Sequence, residues 1–542
     1  MNDDLRQRYR QFDADCARIA YKVRSARDFE PQVFVPTREN RAEEERALSR
    51  LLDQARALPA PDPVYALLKT HFSEFIQGQL SGLQSLGARP GLSIGALTGF
   101  IDFMARKDSR PAAERLAILH TRLDQADELW AGLAGELENI EGAAVRQLAD
   151  ACGILGRVAV LAAENINEHF PEIPEQARKE MSNKLLTLAD KSSQWQKQAA
   201  KLTEPGEKTS DSTCFKLEED YYRRLLREEL GVELDDLVEW HDQEVESNRQ
   251  EVLALASRLN IPERAESMAD VSAILDKYAG SCQTPEEMFT RGKDYLARAK
   301  EGVRGYVTLP DEECLVLPVP EQIKGHFPWG GYGGGCRRRR PLVGEMYLNE
   351  ENYRAVTDGW LKMMAIHEAY PGHHVQFVRT TSDPLPETFK LGARSIPLIE
   401  GAAHRSERVF EFVFDEDPFY PLFVAYRRHH TAVRIKAELY LRYFGRPLED
   451  AVKLYMDELG FDRATARGQV RAQELMVGYF NCYYYGLKRL LDMEKQYGID
   501  ERTYTELLFS VGYISLQSFE SFLALSDRDK QRFQTQFPSL LK

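Results

Sequence analysis

Apolar side chains recur at i, i+3 and i+4 through most of the first 300 residues, and that periodicity restricts the chain to helices packed on helices. The segments Glu43 to Leu58, Pro63 to Gly82, Arg110 to Leu133, Glu175 to Leu202 and Leu217 to Leu259 each carry an apolar stripe among many charges. Breakers fall between such stripes at Pro59-Ala60-Pro61, Gly87-Ala88-Arg89-Pro90 and Glu204-Pro205-Gly206. Each contains a proline, which fixes its own φ and disfavours helix in the residue before it. No convincing repeat of roughly 20 to 50 residues is visible.

The texture changes after Gly302. Val303 to Leu309, Cys314 to Val319 and Val343 to Leu348 are short, rich in Val, Leu and Tyr, and bounded by Pro and Gly, which predicts a small sheet. Between the last two, residues 325 to 335 hold six glycines and Arg337 to Arg340 follow. The segment fits neither phosphate-loop pattern and is expected to be a mobile loop, either covering substrate or merely exposed. The four arginines are a solvated face or a holder for an acidic substrate. Helices return at Tyr353 to Ala369, Ile396 to Phe412, Leu422 to Phe444, Pro447 to Glu458, Ala464 to Lys495 and Glu501 to Val511. With 542 residues the chain exceeds the size of a single core. It is therefore expected to divide into a helical N-terminal half, 1–300, and a functional half, 301–542, containing the sheet.

Hydrophobic residues at 43% and charged ones at 29% fit a soluble globular enzyme. A net charge of −14 disfavours nucleic acid as a partner, because that affinity depends on cations displacing counterions. The seven cysteines are scattered without a C-x-x-C pair, and the N-terminus is polar and acidic where a signal peptide is basic and then apolar. No apolar run reaches the roughly 18 residues of a spanning helix. A cytoplasmic protein that is not embedded in a membrane is expected; oligomeric state is open.

Seven of the 11 histidines lie between residues 326 and 430. Three stand in His367-Glu368-Ala369-Tyr370-Pro371-Gly372-His373-His374, at the end of the apolar stretch Trp360 to Ile366. The pattern is close to H-E-x-x-H, in which two His one turn apart bind zinc and the Glu activates its water, but Pro371 stands at the fifth position. In a straight helix His374 would share the face of His367 about 10 Å further along, and His373 would point away. Zinc–nitrogen bonds of about 2.0 to 2.1 Å would let neither join His367. The helix must therefore deform at Pro371-Gly372, since Pro371 has no N–H to donate and Gly372 accepts backbone angles closed to other residues. A two-residue bulge there brings His373 to the missing ligand position. The third ligand should follow on a later helix, where Glu400 is the best candidate; His404 lies one turn on and Glu407 two, so all three can face one cleft. The plain alternative is that these carboxylates are solvated helix charges and the imidazoles ordinary polar groups.

At these residues the chain resembles the bacterial DUF885 family, whose pattern is a short strand, a helix with His-Glu-x-x-Pro-Gly-His, then Glu-Gly with a second Glu seven residues after the first. Here these are Gly344 to Asn349, His367 to His373, and Glu400-Gly401 with Glu407. Arg471 and Gly478 to Gly486 match further elements in order. Two elements differ: Ala437-Glu438-Leu439-Tyr440-Leu441 follows Arg434 in place of Asp-Thr-Gly-x-His, and Val477-Gly478-Tyr479-Phe480 replaces Pro-Gly-Gln-Ala. The family is similar to M32 carboxypeptidases, which implies a mainly α, large, two-lobed metallopeptidase-like fold with a small β-sheet beside the active-site helix and a deep cleft. The resemblance implies His367, His373 and Glu400 as zinc ligands, with His374 in reserve, and Glu368 as general base.

The expected chemistry is zinc-dependent hydrolysis of an amide bond in a short peptide. Tyr483, or else His404, would donate to the oxyanion; Tyr483 lies in the run Tyr483-Tyr484-Tyr485 and is equally readable as aromatic packing. Arg471 or Arg434 would pair with a substrate carboxylate, making the enzyme carboxypeptidase-like. The strand Gly344 to Asn349, with Tyr347, would hold extended substrate by edge addition. The rivals are a catalytically inactive metallopeptidase-like binding scaffold and a two-His-one-carboxylate iron oxygenase.

Overall fold

The computed structural model describes the chain except residues 1, 27, 138–141, 203–215, 322–323, 325–327 and 542. The fold is mainly α with one small sheet, as the periodicity predicts. Helix starts are set by local chemistry. Thr37 accepts from the amide of Asn40 ahead of Arg38–Ala57, Asp62 caps the proline-initiated helix Pro63–Ala88, and Ser267 and Asp270 form a capping box at Met268–Tyr278. The first predicted break falls between described helices and the second spans the end of Pro63–Ala88, with Arg89-Pro90 ahead of the next helix; Glu204-Pro205-Gly206 lies outside the described residues.

Three long predicted helices are interrupted. Arg110 to Leu133 divides at Gln125, whose side chain accepts from the amide of Val33. Leu217 to Leu259 divides at Gly231, where the left-handed φ of 71° ends one helix before Leu234–Ala256 begins. Ala464 to Lys495 divides around Gly478, also left-handed, giving Arg463–Leu475 and Asn481–Tyr497.

The sheet has the order β1-β3-β2, with β1 Glu312–Pro318, β2 Gly330–Gly333 and β3 Leu342–Leu348. β1 runs parallel to β3, in register from Glu312 opposite Leu342 to Pro318 opposite Leu348, and β2 runs antiparallel to it. Three expectations change here. Val303 to Leu309 is a turn closing the helix Pro285–Gly302, with the amides of Tyr306 and Val307 donating to the carbonyl of Val303 and Gly305 at a φ of 80°. Its valines are apolar because they enter the core. The glycine-rich segment supplies β2, whose three glycines allow close packing: a Cβ on Gly330 would lie 2.0 Å from the carbonyl oxygen of Tyr347. Finally, β3 is the central strand, buried at every position, so it offers no free edge to a peptide.

Two apolar cores lie beneath these elements. One gathers side chains from Tyr9 to Phe537, including Met346, Leu348, Met364 and Ile366 around the sheet and the His-Glu turn. The other is built mainly from residues 94–199 with Val33 and Cys336. The described cysteines are free.

Candidate metal centre

The helix Asp358–Met364 starts at a Thr357 cap and ends in one wide turn, Ala365–Ala369, closed by the amide of Tyr370 donating to the carbonyl of Ala365. His367 and Glu368 lie on that turn. The chain then breaks completely and a new helix starts at His373. The sequence predicts a bulge inside one helix; the structure has a stop and a restart. Tyr370 is pushed to extended angles by the following proline, at φ −126° and ψ 108°. Gly372 folds back so closely that a Cβ on it would lie 1.7 Å from the carbonyl oxygen of His367. Ser406 fastens the break by donating to the carbonyl of Pro371.

The restart brings His373 beside His367, with ring centroids 4.9 Å apart. Nε2 of each lies 3.5 Å from the same oxygen, Oε2 of Glu400 on the helix Ile396–Val409. Nδ1 of His367 is 2.8 Å from Glu407 Oε1, and Nδ1 of His373 is 2.9 Å from the amide oxygen of Gln376. Gln376 is itself held by donating to the carbonyl of Ile399. Each ring is thus fixed from behind with Nε2 forward, the arrangement that supporting residues give metal-binding imidazoles. Glu368 borders the group, its Oε2 4.0 Å from Nε2 of His373.

These residues fit a metal ion. Ligand atoms of His367, His373 and Glu400 lie within 4.8 Å of one another. Two ligands at tetrahedral positions 2.1 Å from an ion are separated by about 3.4 Å, close to the 3.5 Å from Glu400 Oε2 to each imidazole. That oxygen is buried and has no hydrogen-bond partner among the described residues. The electrostatics agree. Burial lowers the pKa of both imidazoles, yet the carboxylates outweigh it and raise both: Glu400, Glu407 and Glu368 around His367, Glu400 and Glu368 around His373. Burial raises Glu400 and Glu407, but the imidazoles and, for Glu407, Arg427 hold both below the usual carboxylate range. The pocket is built to hold positive charge.

The other candidates divide. His374 is turned the opposite way, with Nε2 hydrogen-bonded to Glu312 on β1 and Nδ1 3.1 Å from the hydroxyl of Tyr332 on β2. Gly344 makes room for that contact, since a Cβ there would lie 2.2 Å from the Tyr332 hydroxyl. Glu312 also receives Tyr370 and Lys300. His374 is therefore committed to the sheet and is not available as a reserve ligand. His404 stands behind Glu407, with Nδ1 2.9 Å from its Oε2 and Nε2 on Thr431, so it does not face the cleft as an oxyanion donor.

Tyr483 is close: its ring stacks on His367 at 6.1 Å, where the approach of Gly401 to Gly486 draws the two helices together. Arg434 faces it at 5.3 Å and is buried, whereas Arg471 is exposed on Arg463–Leu475. Tyr347 points to the opposite face of the sheet from Gly344, as alternation along a strand requires. There it donates to Glu345, receives Lys107 and lines a cavity of about 490 Å³ with Arg106, His169 and Lys324.

Sequence reasoning missed Gln376, Glu312 and Tyr479, whose hydroxyl donates to Glu400 Oε1 at 2.6 Å. Gln376 was findable, one turn after His373 on the same helical face. Glu312 and Tyr479 reach the site from distant segments and left no local signal.

Fold and site together define a mainly helical protein in which two imidazoles and a carboxylate converge across a helix break. The chain belongs to the DUF885 family, described as bacterial protein of unknown function, whose model matches residues 24–520. No curated protein matches the sequence. Among solved structures it is similar to one described as "the putative lipoprotein from Colwellia psychrerythraea", with a TM-score of 0.79 and 14% identity over 98% of this chain and 99% of that one. It is also similar to "a putative lipoprotein of unknown function from Shewanella oneidensis", with a TM-score of 0.72 and 14% identity over 95% of this chain and 100% of that one. At such identities the likeness shows the fold alone.

Proposed function

We propose that the protein is a zinc-dependent hydrolase of amide bonds, carboxypeptidase-like and acting on short peptides. The observation that carries this reading is the convergence of His367 Nε2 and His373 Nε2, each 3.5 Å from an unpartnered oxygen of Glu400, with Glu368 alongside. His367, His373 and Glu400 would hold the ion, which when bound supplies Lewis acidity and lowers the pKa of a bound water toward about 7.

The chain's own groups do the rest. Glu368 takes the proton of the attacking water and passes it to the leaving amine. Tyr483 turns its hydroxyl to the oxyanion, its ring orientation fixed by stacking on His367. Arg434 donates to the substrate's terminal carboxylate; its Nε is buried without a hydrogen-bond partner among the described residues. Extended substrate would lie along β2, the outer strand on the side of the His-Glu turn, in place of β3.

No helix of the described residues is long and apolar enough to cross a membrane. Cytoplasmic residence belongs to this proposal, and cell fractionation tests it.

The deciding experiment is metal quantification on purified protein, followed by mass spectrometry of a peptide mixture incubated with and without chelator. Stoichiometric zinc and chelator-sensitive release of C-terminal residues are expected. Protein without metal whose His367→Ala variant behaves identically would sink the reading.

A further inference from the structure

Residues 476–480 connect Arg463–Leu475 to Asn481–Tyr497, and the amides of Met476, Gly478 and Tyr479 are all hydrogen-bonded. Gly478 is left-handed, at a φ of 78°, and its N–H donates to the buried Glu438 at 2.8 Å. A Cβ on Gly478 would lie 2.8 Å from Leu230 and 2.9 Å from Leu226, so the connection is packed as well as bonded. Tyr479 follows, with its ring edge-on to Tyr483 at 5.7 Å and its hydroxyl 3.3 Å from that of Tyr483. The same hydroxyl reaches Glu400 Oε1 at 2.6 Å, in the range of strong O–H···O⁻ bonds.

The two oxygens of Glu400 thus have different surroundings. Oε1 is taken by Tyr479; Oε2 has no hydrogen-bond partner among the described residues and lies equidistant from the two imidazoles. We infer that Tyr479 is a positioning residue that makes Glu400 a ligand through Oε2 alone. A carboxylate held in this way contributes one ligand atom and keeps further positions open for water and a substrate carbonyl, the feature that separates catalytic from closed structural sites.

The inference rests on the proposed metal site, and the test separates the two. Metal-free wild type, Tyr479→Phe and Tyr483→Phe are titrated with zinc against a chromophoric chelator, and the cobalt-loaded proteins are compared by visible absorption. Phe at 479 keeps the ring packing and removes one oxygen, and thermal melting of the metal-free proteins checks that the fold is intact. Tyr479→Leu gives a second reading at the same position. Both 479 variants are expected to bind zinc about 10- to 100-fold more weakly than wild type, with an altered cobalt spectrum in Tyr479→Phe, while Tyr483→Phe stays within about 2-fold. Equal zinc affinity in wild type and both 479 variants overturns the positioning role and leaves the metal site standing. Wild type that binds no zinc overturns the metal site itself.

Discussion

His373 and His374 are adjacent in the chain and serve opposite faces of the helix break: Nε2 of His373 lies 3.5 Å from Glu400, while Nε2 of His374 is bonded to Glu312 on β1. One imidazole belongs to the cluster and the other ties the new helix to the sheet. The two alanine variants should therefore fail differently. His373→Ala is expected to lose stoichiometric zinc with little loss of stability. His374→Ala is expected to keep zinc but to unfold earlier in denaturant, by about 1.5 to 3 kcal/mol, because Glu312 loses one of its hydrogen bonds while keeping Tyr370 and Lys300. Zinc stoichiometry beside urea unfolding checks both, and loss of zinc in His374→Ala with intact binding in His373→Ala would reverse the assignment.

Glu368 borders the cluster without being one of its three converging groups. Glu368→Gln keeps shape and hydrogen bonding but cannot accept a proton. It should bind zinc as wild type does and lose at least about 100-fold in kcat, the usual contribution of a general base. An active Glu368→Gln protein, measured on any peptide the wild type cleaves, would remove Glu368 from the mechanism.

Arg434 is buried beside Tyr483 and Arg471 is exposed, which separates two residues that the sequence could not rank. Arg434→Ala should raise KM by about 10-fold or more for peptides with a free C-terminal carboxylate, since hydrogen bonds to a charged group contribute about 1.5 to 3 kcal/mol. Peptides with an amidated C-terminus should be cleaved poorly by both proteins. Arg471→Ala should match wild type on either substrate. Equal cleavage of free and amidated peptides by the wild type would exclude a carboxylate subsite.

Much of this arrangement was legible because it is local. Helical stripes, the proline and glycine breakers and the pair His367-Glu368 are short-range patterns, and Pro371-Gly372 announced a deformation where the second imidazole had to arrive. What the sequence hid has two physical causes. Packing reassigned some composition: Val303 and Val307 are β-branched because they fill the core behind a turn, and the glycines of β2 serve close approach to β3 where they suggest a loose loop. Contacts between distant segments are also invisible to spacing. Glu312 reaches His374 across 62 positions and Tyr479 reaches Glu400 across 79, and only the folded backbone brings them together.

The carboxyl group that anchors the Tyr479 segment gives a prediction independent of any metal. Glu438 is buried at 0% exposure, accepts the amide of Gly478 and receives Gln473. Burial dominates the nearby Arg442 and these hydrogen bonds, and pushes its pKa up from 4.5 to about 7. A group with a raised pKa in the folded state binds its proton more tightly there than in the unfolded chain. Its contribution to stability is therefore complete below the unfolded value of 4.5 and is lost as pH rises through about 7. Glu438→Gln mimics the protonated form at every pH. Wild type should lose stability between pH 5 and pH 8, relative to Glu438→Gln, by at most about 3 kcal/mol. The two curves should converge below about pH 4.5, where the carboxyl is neutral in the folded and the unfolded chain alike. Urea unfolding of both across this range reads the difference directly, and parallel curves would mean that Glu438 is ionised in the folded protein throughout.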